Sequence, residues 1–228
     1  MGRNYHLKYN VDIVMVIDAT GSMDPLIDKV RENAENFYSD LISRMSAKGK
    51  SVDDVRVRVV AFRDYAADGV SNAMLVSDFF KIPEQSVEFH ELLKTVQADG
   101  GGDDPEDGLE ALAYAIKSDW VRTGHKKRHI IIVWSDDATH PLGEGDKMDL
   151  EGYPSKMPRS FEELTNMWED PEIMDPSAKR LIIFAPDREY WGMISDIWNQ
   201  SIHFPSEAAK GLENVTYQSI LDAISNSI

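Results

Sequence analysis

Residues 11–17 form an apolar run rich in β-branched residues, and the chain then reads Asp18-Ala19-Thr20-Gly21-Ser22-Met23-Asp24-Pro25. A run of this kind reads as a buried strand of a parallel sheet. The glycine and proline that follow it fit a tight strand-to-helix corner. A strand that ends in Asp-x-Thr-x-Ser delivers one carboxylate and two hydroxyls to a single point above its C-terminal edge. Oxygen donors alone suit a hard divalent cation such as Mg²⁺.

The rest of the chain places that strand in a fold class. A helix is expected from Asp24 and Pro25 to about residue 47, with Leu26, Val30, Ala34, Phe37, Leu41 and Met45 on one stripe at helical spacing. Strands are expected at 55–62, 129–134 and 180–185, a short edge strand at 73–80, and a last short strand at 215–217. Helices are expected at 88–97, 105–118, 187–200 and 219–225. Apolar strands alternating with amphipathic helices imply an α/β fold, a doubly wound and mostly parallel sheet with helices on both faces and one short antiparallel edge strand. No repeat or linker divides residues 1–228, so one domain is expected.

One stretch breaks the alternation. Residues 140–179 hold Pro141, Pro154, Pro158, Pro171 and Pro176 with Gly143, Gly145 and Gly152, and only 161–168 has a helical pattern. That is long for a connection in such a fold. It follows a strand end, so it is expected on the edge of the sheet that carries Asp18, where open α/β sheets bind ligands.

The 228 residues carry a formal charge of −16, which disfavours binding to a polyphosphate backbone, so no nucleic acid is expected as a partner. There is no cysteine, which excludes disulfides, thiolate metal sites and thiol nucleophiles. No secretory signal and no membrane span are expected, and the default setting is cytoplasmic.

Two further loops match the first. Gly100, Gly101 and Gly102 precede Asp103-Asp104-Pro105-Glu106-Asp107, and the strand at 129–134 ends in Ser135-Asp136-Asp137. Together with Asp18-x-Thr20-x-Ser22, these segments resemble the metal-ion-dependent adhesion site of von Willebrand factor A domains. Phe62-Arg63-Asp64-Tyr65 and Gly-Gly-Gly-Asp-x-Pro-Glu-Asp resemble markers of a subset of that family. The resemblance spans about residues 11–224, without detail over the 140–179 insertion. It implies a divalent cation held by Asp18, Thr20, Ser22, Asp103 and Asp136, with Asp137 and Asp104 as alternatives one register away. Mg²⁺ is the expected ion, with Mn²⁺ or Ca²⁺ also compatible. It further implies a protein partner that engages the metal site and the insertion, and no enzyme activity. The family's second loop commonly offers threonine. Asp103 in its place adds negative charge and weakens the usual picture of an acidic partner group completing the metal's sphere.

Each feature also has a plainer reading. Asp18, Thr20 and Ser22 are good helix caps. The acidic residues at 103–107 suit a helix N-terminus. Arg63 and Asp64 read as a structural ion pair, His140 as a loop residue beside the site, and the tryptophans as packing. Trp168 and Tyr153 in the insertion have partner contact as their alternative. Gly49-Lys50-Ser51 ends like a phosphate-binding loop, but Arg44 stands where that motif needs glycine, and the triplet follows a helix. The alternative function is a Mg²⁺-dependent phosphohydrolase with Asp18 as nucleophile, similar to the haloacid-dehalogenase superfamily. Thr20 stands where that chemistry needs a second aspartate.

Overall fold

The computed structural model describes residues 8–34, 36–100, 105–124, 126–144, 146–210 and 212–228. The strands are β1 (Lys8–Asp18), β2 (Ser51–Phe62), β3 (Met74–Val76), β4 (Phe80–Ile82), β5 (Lys126–Trp134), β6 (Lys179–Pro186) and β7 (Ser201–Ser206). The helices are α1 (Asp24–Asn33), α2 (Phe37–Ala47), α3 (Val70–Ala73), α4 (Ser86–Thr95), α5 (Gly108–Ile116), α6 (Phe161–Glu169), α7 (Glu189–Ile197) and α8 (Tyr217–Ser227). One sheet runs in the order β3-β2-β1-β5-β6-β7, with β4 also on β2. The pairs β1–β2, β1–β5, β5–β6 and β6–β7 are parallel, and β3 and β4 run antiparallel to β2.

Side-chain alternation along β1 divides the interior in two. Val11, Ile13, Met15 and Ile17 face a core that includes Leu26, Phe37 and Leu41, Phe89 and Leu93, and Ile220 and Ile224. Val14 and Val16 face a second core with Leu109, Leu112, Leu164, Trp168, Trp191 and Ile194. Helices α1, α2, α4 and α8 therefore cover one face and α5, α6 and α7 the other. From β1 the chain passes to β2 on one side, and β5 lies on the other. Between β1 and β5 is a switch point, the crevice where ligands enter such sheets.

The expected helix from Asp24 to about residue 47 is two helices. The Ala34 and Asn36 amides turn back to the carbonyls of Arg31 and Asn33. The Arg31 guanidinium is drawn to the carbonyls of Leu93 and Val96. The apolar stripe still survives the break, because Leu26, Phe37, Leu41 and Met45 are all buried. The edge strand expected at 73–80 is two pieces, β3 and β4.

The strand expected at 215–217 does not form. Thr216 caps α8 with a capping box to Ser219, and the Val215 amide closes a turn onto Leu212. The last strand is β7. Its Ile202 and Phe204 are half exposed, and it contains Pro205, all of which mark an edge position.

The insertion is part of the second core rather than a loose cover. Leu142, Met157, Leu164, Trp168 and Met174 are buried in it. Gly143 has φ +73°, and a Cβ there would fall 2.1 Å from the Arg159 carbonyl oxygen, so the insertion folds tightly on itself. Trp168 is fully buried, so the packing reading holds for it.

Candidate metal centre

Three loops meet at the C-terminal edge of the sheet. Asp18, the last residue of β1, is fully buried. Its Oδ1 accepts the Thr20 backbone amide at 3.0 Å and the Thr20 hydroxyl at 2.6 Å. Its Oδ2 accepts the Ser135 hydroxyl at 2.8 Å from the loop after β5. The Ser22 hydroxyl donates to Asp136 Oδ1 at 2.8 Å and lies 3.5 Å from the Thr20 hydroxyl. Each of these hydroxyl protons can be committed to a carboxylate, which leaves hydroxyl lone pairs for a cation. Burial pushes the Asp18 carboxyl up to about 6, against the hydrogen bonds from Thr20 and Ser135, and the charge of Asp136 adds to the rise.

Thr20, Gly21, Ser22, Gly100, Glu106, Asp136, Asp137 and Ala209 line one cleft of about 210 Å³. Gly100, the first of the three glycines, reaches it. A Cβ on Gly21 would lie 3.9 Å from the Gly100 carbonyl oxygen, and Gly100 itself has φ +80°. Asp103 and Asp104 lie outside the described residues. The structure thus brings together Asp18, Thr20, Ser22 and Asp136, four of the five residues proposed as ligands. Asp137 also lines the cleft, but its Oδ1 accepts the Ala138 amide at 2.6 Å, and Arg188 stands 3.8 Å off.

The donor set fits a hard cation. Every described donor is oxygen, from two carboxylates and two hydroxyls. Among the described residues no three His, Asp or Glu side chains form a ready metal cluster, so a coordination sphere here would be completed by other groups or by water.

Arg63 and Asp64 do not act as the ion pair expected of them. Arg63 donates to the carbonyls of Ala19 at 3.1 Å, Gln97 at 2.8 Å and Asn72 at 3.4 Å. The Ala19 carbonyl also takes the Asp99 amide at 3.0 Å, so the first loop is tied to the chain that leads into the tri-glycine corner. Asp64 instead pairs with His140, at 3.1 Å. Sequence reasoning singled out neither Glu106 as a cleft residue nor Ser135 as the second partner of Asp18. Ser135 had a visible signal, a hydroxyl residue immediately before Asp136 at a strand end. Glu106 had none that separates it from its acidic neighbours.

The fold is of the von Willebrand factor A type. The pilus adhesin SpaC of Lactobacillus rhamnosus GG aligns with 98% of this chain and 31% of its own at a TM-score of 0.58 and 15% identity. Proximal thread matrix protein 1 from mussel byssus aligns with 97% of this chain and 49% of its own at 0.51 and 11% identity. At those identities the likeness is one of fold. No known protein family's sequence profile matches the chain. Among curated proteins, the alpha-protein kinase vwkA of Dictyostelium discoideum is 32% identical over 97 residues, 42% of this chain but 14% of that protein. The match therefore spans about one seventh of that relative's length.

Proposed function

We propose that the chain is a non-enzymatic, metal-dependent protein-binding module of one domain. A divalent cation, Mg²⁺ in the cell and Mn²⁺ or Ca²⁺ as substitutes, would be held by Asp18, Thr20, Ser22 and Asp136, with Asp103 contributing from the second loop. A cation that retains exchangeable waters offers an open position for an oxygen atom of a partner protein. The observation that carries this reading is the continuous chain of oxygens from the buried Asp18 through Thr20 and Ser22 to Asp136, the last three of which line one cleft. The pilus adhesin and byssal matrix protein that share the fold support a role in protein contact.

The insertion would act mainly from behind the site, since most of its large apolar side chains are buried. A cytoplasmic setting is part of the proposal and rests on composition. The phosphohydrolase alternative is less well served. Both Asp18 oxygens accept hydrogen bonds within a fully buried corner, and Thr20 is no general acid.

The test is a thermal unfolding series against Mg²⁺ and Mn²⁺, followed by affinity capture from a lysate with and without chelator. The wild type should gain stability with ion concentration by mass action. It should capture a protein in a cation-dependent way, and Asp18→Ala should do neither. Absence of any cation response in the wild type would overturn the proposal. Asp18-dependent hydrolysis of an aryl phosphate would replace it with the enzyme reading.

A further inference from the structure

Behind the cleft lies a buried charge cluster that the proposed cation site does not use directly. Lys147, from the 3-10 turn Asp146–Asp149 of the insertion, is only 4% exposed, and Asp107 and Glu110 are fully buried. The Lys147 ammonium contacts Asp107 Oδ1 closely and lies 2.7 Å from Glu110 Oε1. Asp107 Oδ2 accepts the Tyr65 amide at 2.7 Å, and the Tyr153 hydroxyl donates to Glu110 at 3.0 Å. The Tyr65 and Tyr153 rings close over the cluster edge to face, with centroids 5.0 Å apart. A lysine of this kind keeps its charge out of water only because both carboxylates surround it.

The position of the cluster gives it a consequence at the cleft. Glu106 forms a parallel β-bridge with Thr139 and lines the cleft beside Thr20, Ser22 and Asp136. Residue 106 thus lies in the cleft wall while Asp107, next to it at the start of α5, contacts Lys147. The same bridge joins the second loop to the third, since the His140 amide donates to the Glu106 carbonyl at 2.8 Å and the Leu109 amide to the Thr139 hydroxyl at 3.1 Å. Lys147 follows His140 by a short stretch of chain. The second loop's exit into α5 is thus held from the cleft side by Thr139 and from the rear by Lys147.

We propose that Lys147 is a positioning residue for the cation site: by neutralising Asp107 and Glu110 it fixes the start of α5, and with it Glu106 in the wall of the cleft. The inference rests on the cation-binding reading above and deepens it, for it makes the insertion a built-in determinant of cation affinity. The physical logic matches that of groups behind a metal's direct ligands, whose loss weakens metal affinity by about 10- to 100-fold.

The test measures Mn²⁺ affinity by calorimetry or by the loss of free-ion paramagnetic signal, alongside urea unfolding in chelator. Lys147→Met should weaken Mn²⁺ binding by about tenfold or more, and Lys147→Arg should restore most of it. The control is Lys179→Met, which removes a second buried lysine of the same segment. Lys179 is bonded to the Trp168 carbonyl and to Glu169, away from the cleft. It should lower stability and leave Mn²⁺ affinity unchanged. Should Lys147→Met fail to fold, Lys147→Met/Asp107→Asn/Glu110→Gln removes the lysine together with both of its carboxylate partners and leaves no bare charge among them. It should fold and still bind Mn²⁺ weakly. Wild-type affinity in Lys147→Met or in the triple variant overturns the inference. If the wild type itself shows no saturable Mn²⁺ binding, the cation-site reading fails and the inference fails with it, an outcome separate from any result on the variants.

Discussion

Truncation of Trp168 tests whether the insertion is structurally continuous with the sheet. The side chain is fully buried in the core shared with α5 and α7. Its ring stacks on Trp198 at 5.2 Å and 12°, and Lys179 Nζ sits 4.4 Å over it. Its Nε1 donates to the Asn199 carbonyl at 3.2 Å. Removing a buried tryptophan costs about 3–5 kcal/mol through lost transfer energy and the cavity left behind. The aromatic pair adds about 0.5–1.5 kcal/mol. Lys179, itself 2% exposed, keeps the Trp168 carbonyl and Glu169, so the lost ring contact is the smaller effect. Because these contributions overlap, about 5 kcal/mol is expected for Trp168→Ala. In a domain of this size that corresponds to a fall in Tm of about 10–20 °C. Urea titration followed by far-UV circular dichroism, with calorimetry in parallel, measures both. A single transition with the wild-type slope and a lower midpoint is expected. A loss below about 1 kcal/mol, or a separate early transition with the remainder unchanged, would show that the insertion melts by itself and that the packing argument is wrong.

Three other predictions follow from particular contacts. Asp18→Asn in metal-free buffer should be more stable than the wild type at neutral pH. The folded Asp18 binds its proton more tightly than the unfolded chain, with a value raised from 3.8 to about 6. Wild-type stability should therefore fall as pH rises from about 4 to about 6, by an amount on the order of 3 kcal/mol, and that fall should be absent in the variant. Urea midpoints across that pH range check the sign. Gly143→Ala should destabilise by about 2 kcal/mol or more, since it forces a side chain into the left-handed region and against the Arg159 carbonyl; a Tm within error of wild type would refute this. Arg63→Met should loosen the first loop from the approach to the tri-glycine corner, seen as faster amide exchange at Ala19 and Asp99; unchanged exchange would mean the three carbonyl contacts do not hold the loops.

Strands β1, β5 and β6 were legible in the sequence because each holds a largely apolar run, the mark of a strand buried on both faces, and β2 because valines alternate with Arg56 and Arg58 before the run turns wholly apolar. Strand β7 was not, because an edge strand with Pro205 and half-exposed Ile202 and Phe204 carries little of that signal. The break between α1 and α2 was hidden because the apolar stripe keeps its phase across it, and the contact beside it, Arg31 reaching the carbonyls of Leu93 and Val96, joins distant residues. In the candidate site, Asp18, Thr20 and Ser22 sit on one strand end, where local spacing fixes their geometry. The choice of Asp136 over Asp137 depended on which carboxylate turns toward Ser22, which only the folded loop decides. Lys147 left no trace, since its partners Asp107 and Glu110 lie far away in sequence and no periodicity marks a buried lysine.

Crystals grown with Mn²⁺ and measured at the manganese absorption edge test the central claim most directly. A single anomalous peak within bonding distance of oxygens from Asp18, Ser22 and Asp136, and gone in Asp18→Ala, is the predicted result. A peak elsewhere on the molecule, or none in the cleft while the ion is in excess, would contradict it.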